Sequence, residues 1–128
     1  MGNGTSIGRV RGLGAAKEGT HHWLLQRFTA AGNLVLGIFL AVSSILQRNF
    51  DYETIALWLS GPVQATAVAL FVISTFWHAR LGLQVLVEDY IHEAGNKFAA
   101  MTALNLFTFA GVAFGLFAIA RLALGGAA

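Results

Sequence analysis

The stretch STFWHARLGLQVLVEDYIHEAGNK, residues 74–97 of this 128-residue chain, sets His78 and Arg80 in an apolar run and closes that run with Glu88, Asp89 and Tyr90. These side chains can do chemistry. A neutral imidazole can ligate a metal, a guanidinium can bind a carboxylate, and a phenol can donate a hydrogen bond to an oxygen that gains charge. Inside lipid such groups are unfavourable, so each one there points to a function or to a polar partner. What they do depends on where the chain puts them.

The elements that position them follow from composition and charge order. Hydrophobic residues make up 56% of the chain and charged residues only 11%, against about 25% charged in an ordinary soluble domain. One domain of membrane class fits that balance. Without cysteine, disulfides, thiolate metal sites and thiol catalysis are excluded. The net charge of +2 is not gathered into a patch that would suit nucleic acid.

Residues 1–27 form a polar, basic segment holding Arg9, Arg11, Lys17 and Arg27. Residues 28–46 carry no charge, and 19 residues at about 1.5 Å each cross a hydrocarbon core about 30 Å thick. A polar loop, 47–62, follows and ends in Gly61 and Pro62, a pair suited to a helix start. Residues 63–87 and 98–120 are the second and third apolar runs, separated by a loop at 88–97, with a tail at 121–128. The predicted fold is an all-α membrane protein with three transmembrane helices. Lysine and arginine bias sets the orientation: Arg9, Arg11, Lys17, Arg27, Arg80 and Lys97 fall on one side, and only Arg48 and Arg121 on the other. That predicts a cytoplasmic N-terminus and a periplasmic C-terminus. The basic region is too long for a signal peptide, and no cleavage site follows the first run, so 28–46 reads as a retained span.

On this frame His78 lies roughly 22 Å along the second span, well inside the membrane. It either bonds a neighbouring polar group such as Ser74 or Thr75, or it is an axial ligand of haem iron with its second ring nitrogen anchored by an acceptor. Ala79 and Gly82, on or beside the same face, would let a flat macrocycle approach the backbone. Arg80 can snorkel to the headgroups or meet a propionate. The spans hold no second histidine, because His21 and His22 precede the first and His92 follows the second. A second haem ligand would come from another chain. Glu88, Asp89 and Tyr90 fall at the cytoplasmic surface, where acids and tyrosine commonly mark the end of a span.

The run HARLGLQVLVEDYIH resembles the D-type membrane anchor subunit of succinate dehydrogenase, respiratory complex II. That family carries a haem-ligand histidine, a glycine four residues on, and an Asp-Tyr pair whose tyrosine is twelve residues after the histidine. His78, Gly82, Asp89 and Tyr90 match it without a gap. Upstream, HHWLLQRFTA resembles the family's entry to its first span, which maps to His21 and Arg27, with His22 adjacent. The leader GRVRGLGAAKEGTHHW is similar to alphaproteobacterial members, and the resemblance extends over nearly the whole chain.

That resemblance implies a set of roles. His78 would be one axial ligand of a haem b shared with a sister cytochrome b anchor subunit, and Arg27 and His21 would contact the haem propionates. Tyr90 would donate to a ubiquinone carbonyl, with Asp89 tuning or relaying protons beside it. The chain would sit among lipids of the bacterial inner membrane and dock an iron–sulfur subunit and a flavoprotein subunit that carry the clusters and FAD, being non-catalytic alone. A fumarate reductase anchor, another b-type cytochrome and a cofactor-free assembly protein are the competing readings.

Two further motifs are weak. GLGAAKEG (12–19) lacks the strand and glycine spacing of a phosphate loop. GVAFG (111–115) matches a small-residue packing pattern that often arises by chance.

Overall fold

The computed structural model describes residues 16–125. Arg9, Arg11 and the rest of 1–15 lie outside the described residues, as does the end of the tail. Four helices follow in order: α1 (Ala16–Ile45), α2 (Tyr52–Ser60), α3 (Pro62–Tyr90) and α4 (Ala94–Ala123). No strand occurs among the described residues. The three long helices have apolar windows with mean hydropathies of 1.8, 1.4 and 2.0, enough in length and composition to cross a membrane. The all-α, three-span architecture is present.

Each long helix runs past its charge-free stretch. At 30 residues α1 is about 45 Å long, so it exceeds a hydrocarbon core of about 30 Å by several turns. His21, His22 and Arg27 therefore stand on a helix rather than in a flexible leader. The loop after α1 holds α2, which Asp51 caps by accepting from the Thr54 backbone N–H at 3.0 Å. Hydrogen bonding with Thr54 also holds the Asp51 carboxyl below its ordinary pKa. Gly61 ends α2 and Pro62 opens α3, where a missing N–H does no harm. Between α3 and α4, Glu93 caps the new helix by accepting from Gly95 and Asn96 N–H. Lys97 Nζ then donates to the Glu88 carbonyl at 3.2 Å and ties the turn.

The helices form a layer with α3 in the middle. It packs on α1 along one side and on α4 along the other, while the backbones of α1 and α4 do not approach each other. The α3–α4 seam rests on two glycines. A Cβ on Gly111 would collide with the Phe76 ring, and one on Gly115 would come within 2.8 Å of Val72 Cγ1. The GVAFG motif thus lets α3 and α4 approach closely. Gly111→Val should destabilise the assembled protein by about 1–3 kcal/mol, the usual effect of overpacking. Thermal denaturation in detergent would show it, with Gly19→Ala, which meets nothing within 4 Å, as the unperturbed control.

Little of the chain is enclosed. Leu59, Ala67 and Leu81 are the buried apolar residues among those described, while Phe28, Leu83 and Phe107 stay exposed. Such a surface suits lipid or further apolar helices, not water.

Candidate functional site

His78 sits on the side of α3 that meets α1. Its Nδ1 lies 3.1 Å from the Thr29 hydroxyl oxygen. That hydroxyl has one hydrogen, and two main-chain acceptors claim it: the Leu25 carbonyl at 2.8 Å and the Gln26 carbonyl at 3.2 Å. With the hydrogen so engaged, the Thr29 oxygen is free to accept from His78 in the tautomer that carries the ring proton on Nδ1. That tautomer leaves Nε2 its lone pair, the form a metal requires. The hydrogen-bond partner of Nδ1 is thus Thr29 of α1. Ser74 and Thr75 do other work, Ser74 donating to the Thr29 carbonyl at 3.3 Å and Thr75 to Asn33 Oδ1 at 3.4 Å.

An open groove of about 340 Å³ adjoins the imidazole, lined by His22, Trp23, Gln26, Arg27 and Ala30 of α1 and by His78 and Val85 of α3. Arg27 lies over the Trp23 ring at 5.0 Å, which steadies its charge at the groove. Gly82, one turn on from His78, lies beside Gln26, where an added Cβ would make an ordinary contact at 3.6 Å. Two buried polar atoms here, His22 Nε2 and Gln26 Oε1, find no hydrogen-bond partner among the described residues. Unpaired buried polar atoms call for a ligand, an ion or water. No cluster of three or more metal-ligating side chains forms among the described residues, and the groove is bordered by two imidazoles, those of His22 and His78.

The other sequence-predicted residues divide. His21 lines a neighbouring pocket of about 620 Å³ with Trp77, Arg80 and Glu88, and His22 borders both. Arg80 does not stand free, for its Nε donates to Asn105 Oδ1 of α4 at 2.7 Å and its guanidinium lies over Trp77 at 5.3 Å. Tyr90 is the last residue of α3 and 77% exposed. It lines an apolar pocket of about 380 Å³ with Leu83, Leu86, Val87, Ile91 and Leu104. Asp89 is exposed and borders none of these pockets. Since α3 is unbroken from His78 to Tyr90, Asp89 points about 20° from His78 and Tyr90 about 120° from it.

Two residues, Thr29 and Asn105, were not found from the sequence. Thr29 is distant in the chain and looks like one more small polar residue of a span. Between His21 and His22 the sequence leaves the choice open, and the one-residue offset, which turns a side chain by about 100°, puts only His22 on the groove beside His78. Asn105, a lone amide in the third apolar run, was the available signal that a polar group on another helix needed a partner.

The family model described as succinate dehydrogenase/fumarate reductase transmembrane subunit matches residues 1–112. Three relatives, each called a succinate dehydrogenase hydrophobic membrane anchor subunit, align over most of their length. The one from Rickettsia conorii is 37% identical, covering 77% of this chain and 80% of its own. That from Rickettsia bellii is 34% identical over 80% and 82%, and that from Paracoccus denitrificans 31% over 91% and 89%. No solved structure matches.

Proposed function

This chain belongs to the succinate dehydrogenase/fumarate reductase transmembrane subunit family and is a multi-pass anchor of the succinate dehydrogenase kind, and from that premise we propose how it serves the enzyme. It anchors an iron–sulfur subunit and a flavoprotein subunit, with their clusters and FAD, to the bacterial inner membrane and helps to hold haem b and ubiquinone. Its N-terminus is cytoplasmic and its C-terminus periplasmic, following the lysine and arginine bias. It does no catalysis alone.

One observation carries the reading. His78, with Nδ1 tied to Thr29, borders an open groove together with Arg27, on the side of α3 away from α4. The residues fit a haem: an imidazole whose Nδ1 is bonded to Thr29, and a guanidinium for a propionate, both on the same groove. His78 would hold the iron, Arg27 and one of His21 or His22 would face the propionates, and a sister cytochrome b anchor would supply the other ligand. When bound, haem b supplies a one-electron centre within the membrane. At the end of α3, the Tyr90 hydroxyl would orient a quinone carbonyl by donating to it, the ring resting on an apolar wall. Asp89, exposed on the adjoining face, would pass protons between water and the quinone oxygens.

The test is recovery of the tagged chain from its own membranes. A flavoprotein, an iron–sulfur protein and a second small membrane subunit should co-purify, and the preparation should show reduced b-type absorbance. A stable chain that purifies without those subunits and without that absorbance would support the cofactor-free assembly reading instead.

A further inference from the structure

We infer that Thr29 is a positioning residue for His78, one that fixes the tautomer and ring plane of the imidazole and thereby sets how strongly Nε2 donates to the haem iron. The inference rests on His78 being a haem ligand, as proposed above. Two independent contacts place Thr29 in this role. Its hydroxyl meets Nδ1 at 3.1 Å, and its carbonyl accepts from Ser74 Oγ at 3.3 Å, one helical turn from His78 on α3. The residue is therefore gripped by α3 through both side chain and backbone. It is also among the few buried residues described, at 8% exposure, so water does not compete for the hydroxyl.

The polarity of the chain of bonds is what matters. With the hydroxyl hydrogen on the Leu25 and Gln26 carbonyls, at 2.8 and 3.2 Å, the Thr29 oxygen acts as an acceptor toward the ring. Proton density drawn from Nδ1–H toward that oxygen increases electron density at Nε2. A stronger donor favours ferric over ferrous iron, so the Thr29 bond holds the haem potential down. It also spares the imidazole a rotational search, because the ring cannot turn without breaking the bond. Gly32 of α1 also lies beside Ser74, where an added Cβ would stand at ordinary contact distance, 3.5 Å from Ser74 Oγ.

The experiment uses the whole complex with Thr29→Val, which keeps the shape and removes the hydroxyl, and with Thr29→Ser, which keeps the hydroxyl. In Thr29→Val the haem affinity should fall by about 10–100-fold, as for other lost partners of a metal-ligating histidine. Its remaining haem should show an upward shift in midpoint potential and an altered paramagnetic resonance spectrum, and Thr29→Ser should restore all three. His78→Leu, run alongside, separates the two claims. If His78→Leu removes the haem but Thr29→Val leaves affinity, potential and resonance unchanged, Thr29 has no positioning role. If His78→Leu itself leaves the haem unchanged, the ligand assignment fails first and this inference with it. Nitrogen-15 spectra of labelled His78 in the haem-depleted wild-type complex give a reading that needs no variant to fold. A protonated Nδ1 with a bare Nε2 is expected, and the opposite tautomer would overturn the inference.

Discussion

His78→Leu is expected to strip the assembled complex of nearly all its reduced b-type absorbance while the chain still inserts in the membrane. Leucine fills a similar space, is more compatible with lipid than imidazole, and cannot donate to iron. The helix should tolerate it, since α3 is held on α4 by the Gly111 and Gly115 contacts and on α1 at several other points. Loss of the Nδ1 bond frees the Thr29 oxygen, but its hydrogen remains with the main chain. The local perturbation is therefore one acceptor lone pair, which is mild beside the loss of a metal–ligand bond. Reduced-minus-oxidised spectra of wild type and variant at matched subunit content make the measurement. Retention of an unchanged b-type spectrum would place the ligand elsewhere.

Tyr90→Phe should lower succinate–quinone activity by roughly one to two orders of magnitude, the usual effect of deleting a hydrogen bond that strengthens as charge develops. Succinate oxidation with a soluble artificial acceptor should continue at the wild-type rate. The separation follows from position. Tyr90 ends α3 with 77% of its surface exposed, and its ring borders an apolar wall built by Leu86, Val87 and Leu104. Phenylalanine keeps that ring contact and removes only the hydroxyl. The groove beside His78, proposed above for haem, lies on the other flank of α3, so the b-type spectrum should be unaffected. Equal loss with both acceptors would indicate damaged assembly, and full quinone activity would make Tyr90 an ordinary interfacial anchor.

The sequence alone determined the class, the number of spans, and the angular and axial spacing of His78, Gly82, Asp89 and Tyr90. Those quantities are local. A helix advances about 1.5 Å and turns about 100° per residue whatever surrounds it, so spacing in one unbroken element converts directly to geometry. The fall of hydropathy at charged residues likewise marks spans from composition, because burying charge in lipid is costly in any fold. The family resemblance also rested on local spacing, and the match over residues 1–112 agrees with it.

The tertiary structure decided which residues on different helices meet. Nothing within α3 says that Nδ1 of His78 will find Thr29, forty-nine positions away, rather than Ser74 one turn behind it. Nor does spacing tell that Arg80 turns to Asn105 of α4, or that His22 rather than His21 shares the groove with His78. Such pairings depend on the rotation of each helix about its axis and on how closely two axes approach. Those depend on side-chain packing along the whole seam, with Phe76 over Gly111, Val72 against Gly115 and Ser74 beside Gly32. A change of one residue in that rotation turns a side chain by about 100° and gives it a different neighbour.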